Sequence, residues 1–143
     1  MSGTVPFSIR LSTALDAAVT EEARRTKRSK GAVLQDLAEE AMRVRRFPGI
    51  AFRGDDWNRR AWVIGTAFDV WELIQGIQAL GGADRAGNES GLAPAQVAVA
   101  EAYYRIYGEE VDALIEGNRH TLADLARAYP TFAVQPSASG RRH

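Results

Sequence analysis

Apolar and polar residues alternate near the start of the chain. In the run 4–11, TVPFSIRL, the apolar side chains occupy the odd positions. Successive side chains of a strand point to opposite faces, so this run predicts one β-strand with an apolar and a polar face. A lone strand leaves its backbone groups unpaired, and we therefore expect it to pair antiparallel with a second copy of the chain. The pairing would bury the apolar face, which consists of Val5, Phe7, Ile9 and Leu11.

Two short amphipathic helices are predicted directly after this strand. Ser12 is suited to cap the first helix, and Asp16 places an acid in its first turn. Ser29 is suited to cap the second helix. The apolar residues of the first helix recur at helical spacing: Leu15, Ala18, Val19 and Ala23. Those of the second helix share one face: Val33, Leu34, Leu37, Ala38, Ala41 and Met42.

The segment between the two helices is strongly basic. Residues 24–30 read RRTKRSK and contain five cations. A capped helix start beside cations is suited to bind phosphate through its free N–H groups and the helix dipole, which makes Arg28, Ser29 and Lys30 candidates. A solvated turn is the alternative reading of such a charge run. A two-stranded ribbon fits the DNA major groove, so the polar face of the strand is predicted to contact bases. That face consists of Thr4, Pro6, Ser8 and Arg10.

Pro48 and Gly49 predict a boundary after the second helix. Strands are then expected at 50–53 and 60–64, joined by a turn at 54–56. A helix capped by Thr66 or Asp69 should run to about Leu80. The glycine-rich stretch 81–91 predicts a flexible connector with at most one helical turn. Further helices are expected from Pro94 to Gly108, from Glu109 to about Glu116, and over 120–129. The chain is thus predicted to be mainly α with short β, divided into domains at 1–46 and 47–118 with a tail at 119–143.

Composition changes this picture in only a few respects. The formal net charge is zero, but residues 1–46 carry nine Lys/Arg and six Asp/Glu, whereas the remainder carries nine and twelve. The chain has no cysteine, no leader-like segment and no apolar run long enough to span a membrane, so a cytoplasmic location is expected. Trp57, Trp62 and Trp71 are interpreted as packing residues rather than as a base-stacking platform, with Trp57 the most exposed.

The first third of the chain resembles the ribbon–helix–helix family of bacterial repressors and antitoxins. The similarity runs from FSIRLS through ALDAAVTEEARRTKRSK to GAVLQDLAEEAMR. It implies that Ser8 and Arg10 read bases, that Pro6 occupies a third reading position without a donor, and that the start of the second helix grips a phosphate. It also implies a dimer whose core contains Val5, Phe7, Ile9, Leu11, Leu34 and Leu37.

Residues 47–117 are similar to a family of short bacterial proteins with an I-x-G-T strand, commonly antitoxins encoded beside PIN-type ribonucleases. The similarity is carried by Ile64-Gly65-Thr66 and by Tyr103-Tyr104 followed by Glu109-Glu110 and Asp112. The stretch 81–91 departs from that pattern. The resemblance implies that the C-terminal part binds and silences a toxin, and it gives these candidate toxin-binding residues: Arg119, Leu122, Leu125, Arg127, Tyr129 and Phe132.

These observations together predict the antitoxin of a type II toxin–antitoxin module. It would bind double-stranded operator DNA as a homodimer or larger assembly, repress its own operon and neutralise a toxin, with no cofactor, no metal and no membrane partner. A stand-alone repressor whose second domain senses a ligand or oligomerises is the alternative, and a scaffold that uses the strand only to dimerise is a third reading. No nucleophile–base pair or metal-ligand spacing favours an enzyme.

Overall fold

The computed structural model describes residues 3–128, except the side chains of residues 89–90, 120–126 and 128. It is mainly helical, with one short two-stranded antiparallel sheet, as predicted. Helices α1 (Thr13–Thr26) and α2 (Lys30–Arg46) begin where the serines predicted them. The Ser12 hydroxyl accepts the Leu15 N–H at 3.2 Å, and the Ser29 hydroxyl accepts the Ala32 N–H at 3.1 Å. Both predicted N-caps are therefore confirmed.

The helix pair encloses a very small core. Its buried apolar residues are Val19, Ala23 and Val33, with Leu34 packed against them. The other residues of the two predicted apolar faces are exposed in the single chain. Two helices alone cannot surround both stripes, and no third element of the described chain covers them. The exposed members of the predicted faces are Leu15, Ala18, Leu37, Ala38, Ala41 and Met42.

Residues 3–12 form neither helix nor strand within the single chain. The side chains of Val5, Phe7 and Ile9 are exposed, and Leu11 is half-buried. The predicted strand needs a second copy for its backbone partners, so its pairing stays a prediction.

A β-hairpin follows α2. Strands β1 (Ile50–Arg53) and β2 (Arg60–Val63) pair antiparallel, with Ile50 opposite Val63 and Arg53 opposite Arg60. Both predicted strands are confirmed, although β2 ends one residue before Ile64. Ile50 and Val63 are fully buried and anchor the hairpin to the core beneath it.

Three helices complete the described chain. Helix α3 (Val70–Leu80) begins at a capping box formed by Asp69 and Glu72. Helix α4 (Ala83–Ser90) occupies the stretch predicted to be a flexible connector, which corrects that prediction. The buried side chain of Ala86 shows why, since burial against neighbouring helices offsets the low helix propensity of this glycine-containing segment.

The separate helices predicted over 94–108, 109–116 and 120–129 form one helix within the described chain. Helix α5 (Pro94–Ala128) departs from helical geometry only at Tyr107, where φ is −111° and ψ is 32°. The predicted interruption at Gly108 is therefore a kink and not a break. Val111 and Ile115 beyond the kink pack into the same core as Tyr103 before it, and that shared packing holds the helix together.

This second core closes on itself within one chain. Phe47 already belongs to it, so the residue after α2 packs with the elements that follow, and its ring meets Tyr103 edge-on with centroids 5.4 Å apart. The predicted boundary at 118/119 falls inside α5, and the division into domains stays a prediction. The buried members of this core are Phe47, Ile50, Ala61, Val63, Val70, Leu73, Ile74, Ala100, Tyr103, Val111 and Ile115.

Candidate nucleic-acid and docking surfaces

The four predicted base-contacting residues, Thr4, Pro6, Ser8 and Arg10, are all exposed. Within the part of the chain that the structure describes, the Arg10 guanidinium forms no ion pair or hydrogen bond. An exposed arginine beside an exposed serine can donate to the acceptors at the edge of a guanine or adenine. The polar face is therefore accessible in the single chain.

The predicted dimer core is also accessible. Val5 is 86% exposed, Phe7 83% and Leu37 49%. Leu11 and Leu34 are half-buried against the helix pair. Isolated exposed apolar residues are common, but here they alternate along one segment and continue onto the neighbouring helix face. Such a surface matches what a two-fold partner would bury.

The start of α2 has free backbone donors. The Ala32 N–H donates to the Ser29 hydroxyl, and the Val33 N–H donates to the Ser29 carbonyl. The N–H groups of Lys30 and Gly31 are left for an acceptor outside the chain. A methyl group at Gly31 would meet nothing within 4 Å, so the space around this amide is open. These two N–H groups can donate hydrogen bonds to one phosphate oxygen.

The side chains of two predicted phosphate ligands already have partners, which the sequence did not reveal. Lys30 pairs with Asp16 of α1, and Arg28 pairs with Asp36 in the second turn of α2. Asp16 and Lys30 are both half exposed, and ion pairs of that kind contribute less than about 1 kcal/mol. Lys30 can therefore exchange its carboxylate for a phosphate at little cost. Arg28 is only 19% exposed and is held more firmly.

An arginine that sequence reasoning missed joins α2 to α5. Arg43 donates to the Tyr103 hydroxyl at 2.7 Å, to Glu110 at 2.9 Å and to Glu39 at 2.6 Å. Burial alone would lower the pKa of Arg43, but Tyr103, Glu110 and Glu39 outweigh it and raise that pKa. Burial and the Glu110 carboxylate raise the pKa of Tyr103, so its hydroxyl stays protonated and donates to Glu110 at 2.9 Å. The only available signal was the i,i+4 spacing of Glu39 and Arg43.

A second network that was missed lies at the start of α3. The buried carboxylate of Asp69 accepts from Arg53 at 2.7 Å, Arg60 at 2.8 Å and the Trp71 indole at 3.2 Å. Burial alone would raise the pKa of Asp69, but the two arginines outweigh it and lower that pKa. Asp69 thus stays ionised and holds the hairpin against α3. The sequence identified it only as a possible helix cap.

The tryptophans divide into two groups. Trp71 packs against the second core, so the packing interpretation is confirmed for this residue. Trp62 is half-buried, and its indole donates to the Thr66 carbonyl at 2.7 Å. Trp57 belongs to neither core and is 76% exposed, so the packing interpretation is wrong for this residue.

Four of the predicted toxin-binding residues lie in the last ten residues of α5. Arg119 is exposed, with its guanidinium 3.9 Å from the Glu116 carboxylate, and Arg127 is exposed. Residues 122 and 125 belong to α5, but the side chains of Leu122 and Leu125 are outside the description. Tyr129 and Phe132 lie outside the described residues.

A charged cleft of about 560 Å³ lies between the helix pair and the hairpin. Val33, Leu37, Phe52 and Trp57 are the apolar residues of its lining. Its charged lining consists of Glu22, Arg25, Arg28, Asp36, Glu39, Glu40, Arg43, Asp56, Arg59 and Glu110.

Comparison with protein-family models, curated proteins and solved structures finds no match to this chain. Within residues 3–128, no helix combines the length and apolar character needed to cross a bilayer.

Proposed function

We propose that this chain is a dimeric DNA-binding antitoxin that represses its own operon and neutralises a toxin. The observation that carries the DNA-binding half is the N-terminal segment. Its apolar residues Val5, Phe7 and Ile9 alternate with polar ones, are exposed, and precede a helix pair with a three-residue core. A second copy would pair the strands, bury the apolar residues and present Ser8 and Arg10 as a ribbon.

The free amides at the start of α2 support the same proposal. A ribbon in the major groove needs contacts to the flanking backbone to set its register, and the N–H groups of Lys30 and Gly31 can supply one in each subunit. The ribbon would then provide sequence discrimination, and the helix start would provide affinity that is independent of sequence.

Arg10→Ala tests the base-reading role. The variant should remain dimeric and lose about 1–3 kcal/mol of discrimination between the DNA upstream of its own gene and a scrambled duplex. Arg105→Ala is the matched control, since it removes an exposed cation from α5. If Arg10→Ala keeps full discrimination, the ribbon does not read DNA.

Lys30→Ala tests the phosphate role separately. It should weaken binding to cognate and scrambled DNA alike and make the slope of affinity against salt concentration shallower by about two ions, one for each subunit of the dimer. If Lys30→Ala instead alters the preference for cognate over scrambled DNA and leaves the salt dependence of affinity unchanged, Lys30 contacts a base and not a phosphate.

The toxin-neutralising half is supported by the resemblance of residues 47–117 to antitoxins found beside PIN-type ribonucleases. Expression from the native locus with the flanking gene, followed by mass measurement of the tagged complex, tests it. A small ribonuclease should co-purify, and truncation after Asn118 should release it. Purification of the chain alone from that locus would overturn this half and leave the repressor.

One observation favours a second candidate, a repressor that senses a ligand. The cleft of about 560 Å³ adjoins both the helix pair and the hairpin, so a small molecule bound there could alter their relative positions. A repressor of this kind would have no toxin gene beside it, and its DNA affinity would change on addition of a small charged metabolite.

A further inference from the structure

The loop between β1 and β2, residues 54–59, has a closely defined backbone. Gly54 has φ of 114°, and a methyl group there would lie 2.1 Å from the Asn58 carbonyl oxygen, so glycine is required. The Asn58 N–H donates to the Asp55 carbonyl at 3.2 Å, and the Trp57 N–H donates to the Asp55 carboxylate at 3.3 Å. These contacts fix the conformation of the loop that carries Trp57.

Two ion pairs hold this loop against the helix pair. Asp56 accepts both Nη atoms of Arg25 on α1, at 2.8 and 2.9 Å. Arg59 donates to both carboxylate oxygens of Glu40 on α2, at 2.9 and 3.2 Å. Bidentate pairs orient both partners, so the loop has a defined position beside the candidate DNA-binding helices.

Trp57 is the side chain that this loop presents. Its ring lies against the Arg28 guanidinium, 5.6 Å from Arg Cζ to the ring centroid, yet it remains 76% exposed. The indole N–H groups of Trp62 and Trp71 have acceptors within the chain, whereas the described residues provide none for Trp57. An exposed tryptophan in a fixed conformation with an unused donor is typical of a contact residue.

The position of Trp57 indicates which class of molecule it contacts. Arg28 is adjacent to the Ser29 cap, and its guanidinium extends along α2 to the Ala32 carbonyl at 3.5 Å and to Asp36. The Trp57 ring therefore lies beside the first two turns of α2, the helix whose first amides are free. Of the five cations in segment 24–30, Lys27 forms no ion pair with the described residues. The carboxylate pairs of Arg24 and Lys30 are at least half exposed, so these two cations can turn to an outside polyanion at little cost.

We propose that Trp57 makes an additional contact to the DNA backbone, next to the phosphate held at the start of α2. The indole N–H donates to a phosphate oxygen, and the ring packs on the adjoining deoxyribose. The inference rests on the proposed DNA-binding function and extends the protein–DNA contact beyond the helix pair to the hairpin. The ion pairs of Asp56 and Arg59 make the hairpin a positioning element for this contact.

Three variants of the full-length chain test the proposal. Trp57→Phe keeps the ring on Arg28 and removes the donor, Trp57→Ala removes both, and Ile106→Ala is the control because Ile106 is an exposed apolar residue on α5. Affinity for a labelled duplex from upstream of the gene, and for a scrambled duplex, is measured by fluorescence anisotropy. Circular dichroism and the mass in solution verify fold and assembly.

Trp57→Phe should weaken binding to both duplexes by roughly a hundredfold, about tenfold for the hydrogen bond to a charged group that is lost in each of the two subunits, and Trp57→Ala by at least as much. Ile106→Ala should bind as the wild type does. If the wild type binds neither duplex, the proposed function itself fails. If the wild type binds and both Trp57 variants bind equally tightly, only this inference is overturned.

Fluorine NMR provides a readout that a merely structural role would not change. In 5-fluorotryptophan-labelled protein, Trp57→Phe identifies the Trp57 resonance by its disappearance. Saturation with duplex DNA should shift that resonance and leave those of Trp62 and Trp71 nearly in place. An unshifted Trp57 resonance, or one that shifts only with a co-purified protein partner, would overturn the proposal.

Discussion

The helix pair (α1 and α2) and the body that follows it (residues 47–128) both carry apolar helix faces, but they bury them to very different extents. The core of the body consists of eleven buried residues, with Tyr103 among them, whereas the helix pair buries Val19, Ala23 and Val33 and leaves Leu37 and Met42 exposed. The body closes its core within one chain, whereas the helix pair and the N-terminal segment leave large apolar side chains exposed. The difference supports the proposal that association with a second copy stabilises the helix pair.

The largest change in unfolding free energy is expected on removal of Tyr103, the central side chain of the body. Tyr103→Ala should destabilise the protein by about 3–5 kcal/mol, because it leaves a cavity and deprives Arg43 of a partner. The loss, measured by urea unfolding, should not depend on protein concentration. Tyr104→Ala, at a half-buried neighbour, should cost clearly less.

Removal of a large apolar side chain from the N-terminal segment should weaken dimer formation and not the folding of one chain. Burying one phenylalanine contributes about 1.5–3 kcal/mol and counts twice in a symmetric dimer, so Phe7→Ala should raise the dimer dissociation constant at least about a hundredfold. Analytical ultracentrifugation measures it. Ser8→Ala, on the opposite face, should leave the constant unchanged. If Phe7→Ala has no effect on association, the N-terminal segment is not part of a dimer interface.

The Asp69 network gives the body a predicted pH dependence. The pKa of Asp69 is lowered on folding, so its contribution to stability is present above the unfolded pKa of about 3.9 and is lost as the pH falls through the folded value. Urea midpoints should therefore decline below about pH 4 in the wild type and less steeply in Asp69→Asn. Asp69→Asn should itself cost about 1–3 kcal/mol at neutral pH. Asp84→Asn, an exposed control, should match the wild type.

The smallest effect on stability is expected at the exposed Asp16–Lys30 pair. Asp16→Asn should change the unfolding free energy by less than about 1 kcal/mol. It should nevertheless strengthen binding to any duplex, because Lys30 no longer has a carboxylate partner to exchange for phosphate. Asp84→Asn removes the same charge far from α2, so equal gains in the two variants would point to net charge alone.

Local chemistry determined much of the fold. Turn residues at 48–49 and 54–56 marked the limits of β1 and β2, Ser12 and Ser29 predicted where two helices begin, and Asp69 was one of two caps predicted for α3. These features depend on neighbouring residues, since a cap acts over three positions and a strand pattern over five or six. The candidate DNA-contact residues came from the same local signals.

Features that depend on distant packing were not predictable. Helix α4 forms in a glycine-containing segment because Ala86 is buried, and α5 stays continuous across Gly108 because both sides of the kink pack into one core. The contacts of Arg43 with Tyr103 and Glu110 span sixty and sixty-seven residues of sequence, and that of Arg25 with Asp56 spans thirty-one.

The sequence by itself determined where α1, α2, β1 and β2 begin and which face of the first segment is apolar, because those properties belong to neighbouring residues. Only the tertiary structure decided that the apolar face of α2 remains uncovered, that Lys30 and Arg28 already hold carboxylates, and that Trp57 stands beside α2. Those facts arise from which distant surfaces meet and which are left without a partner once one chain has packed.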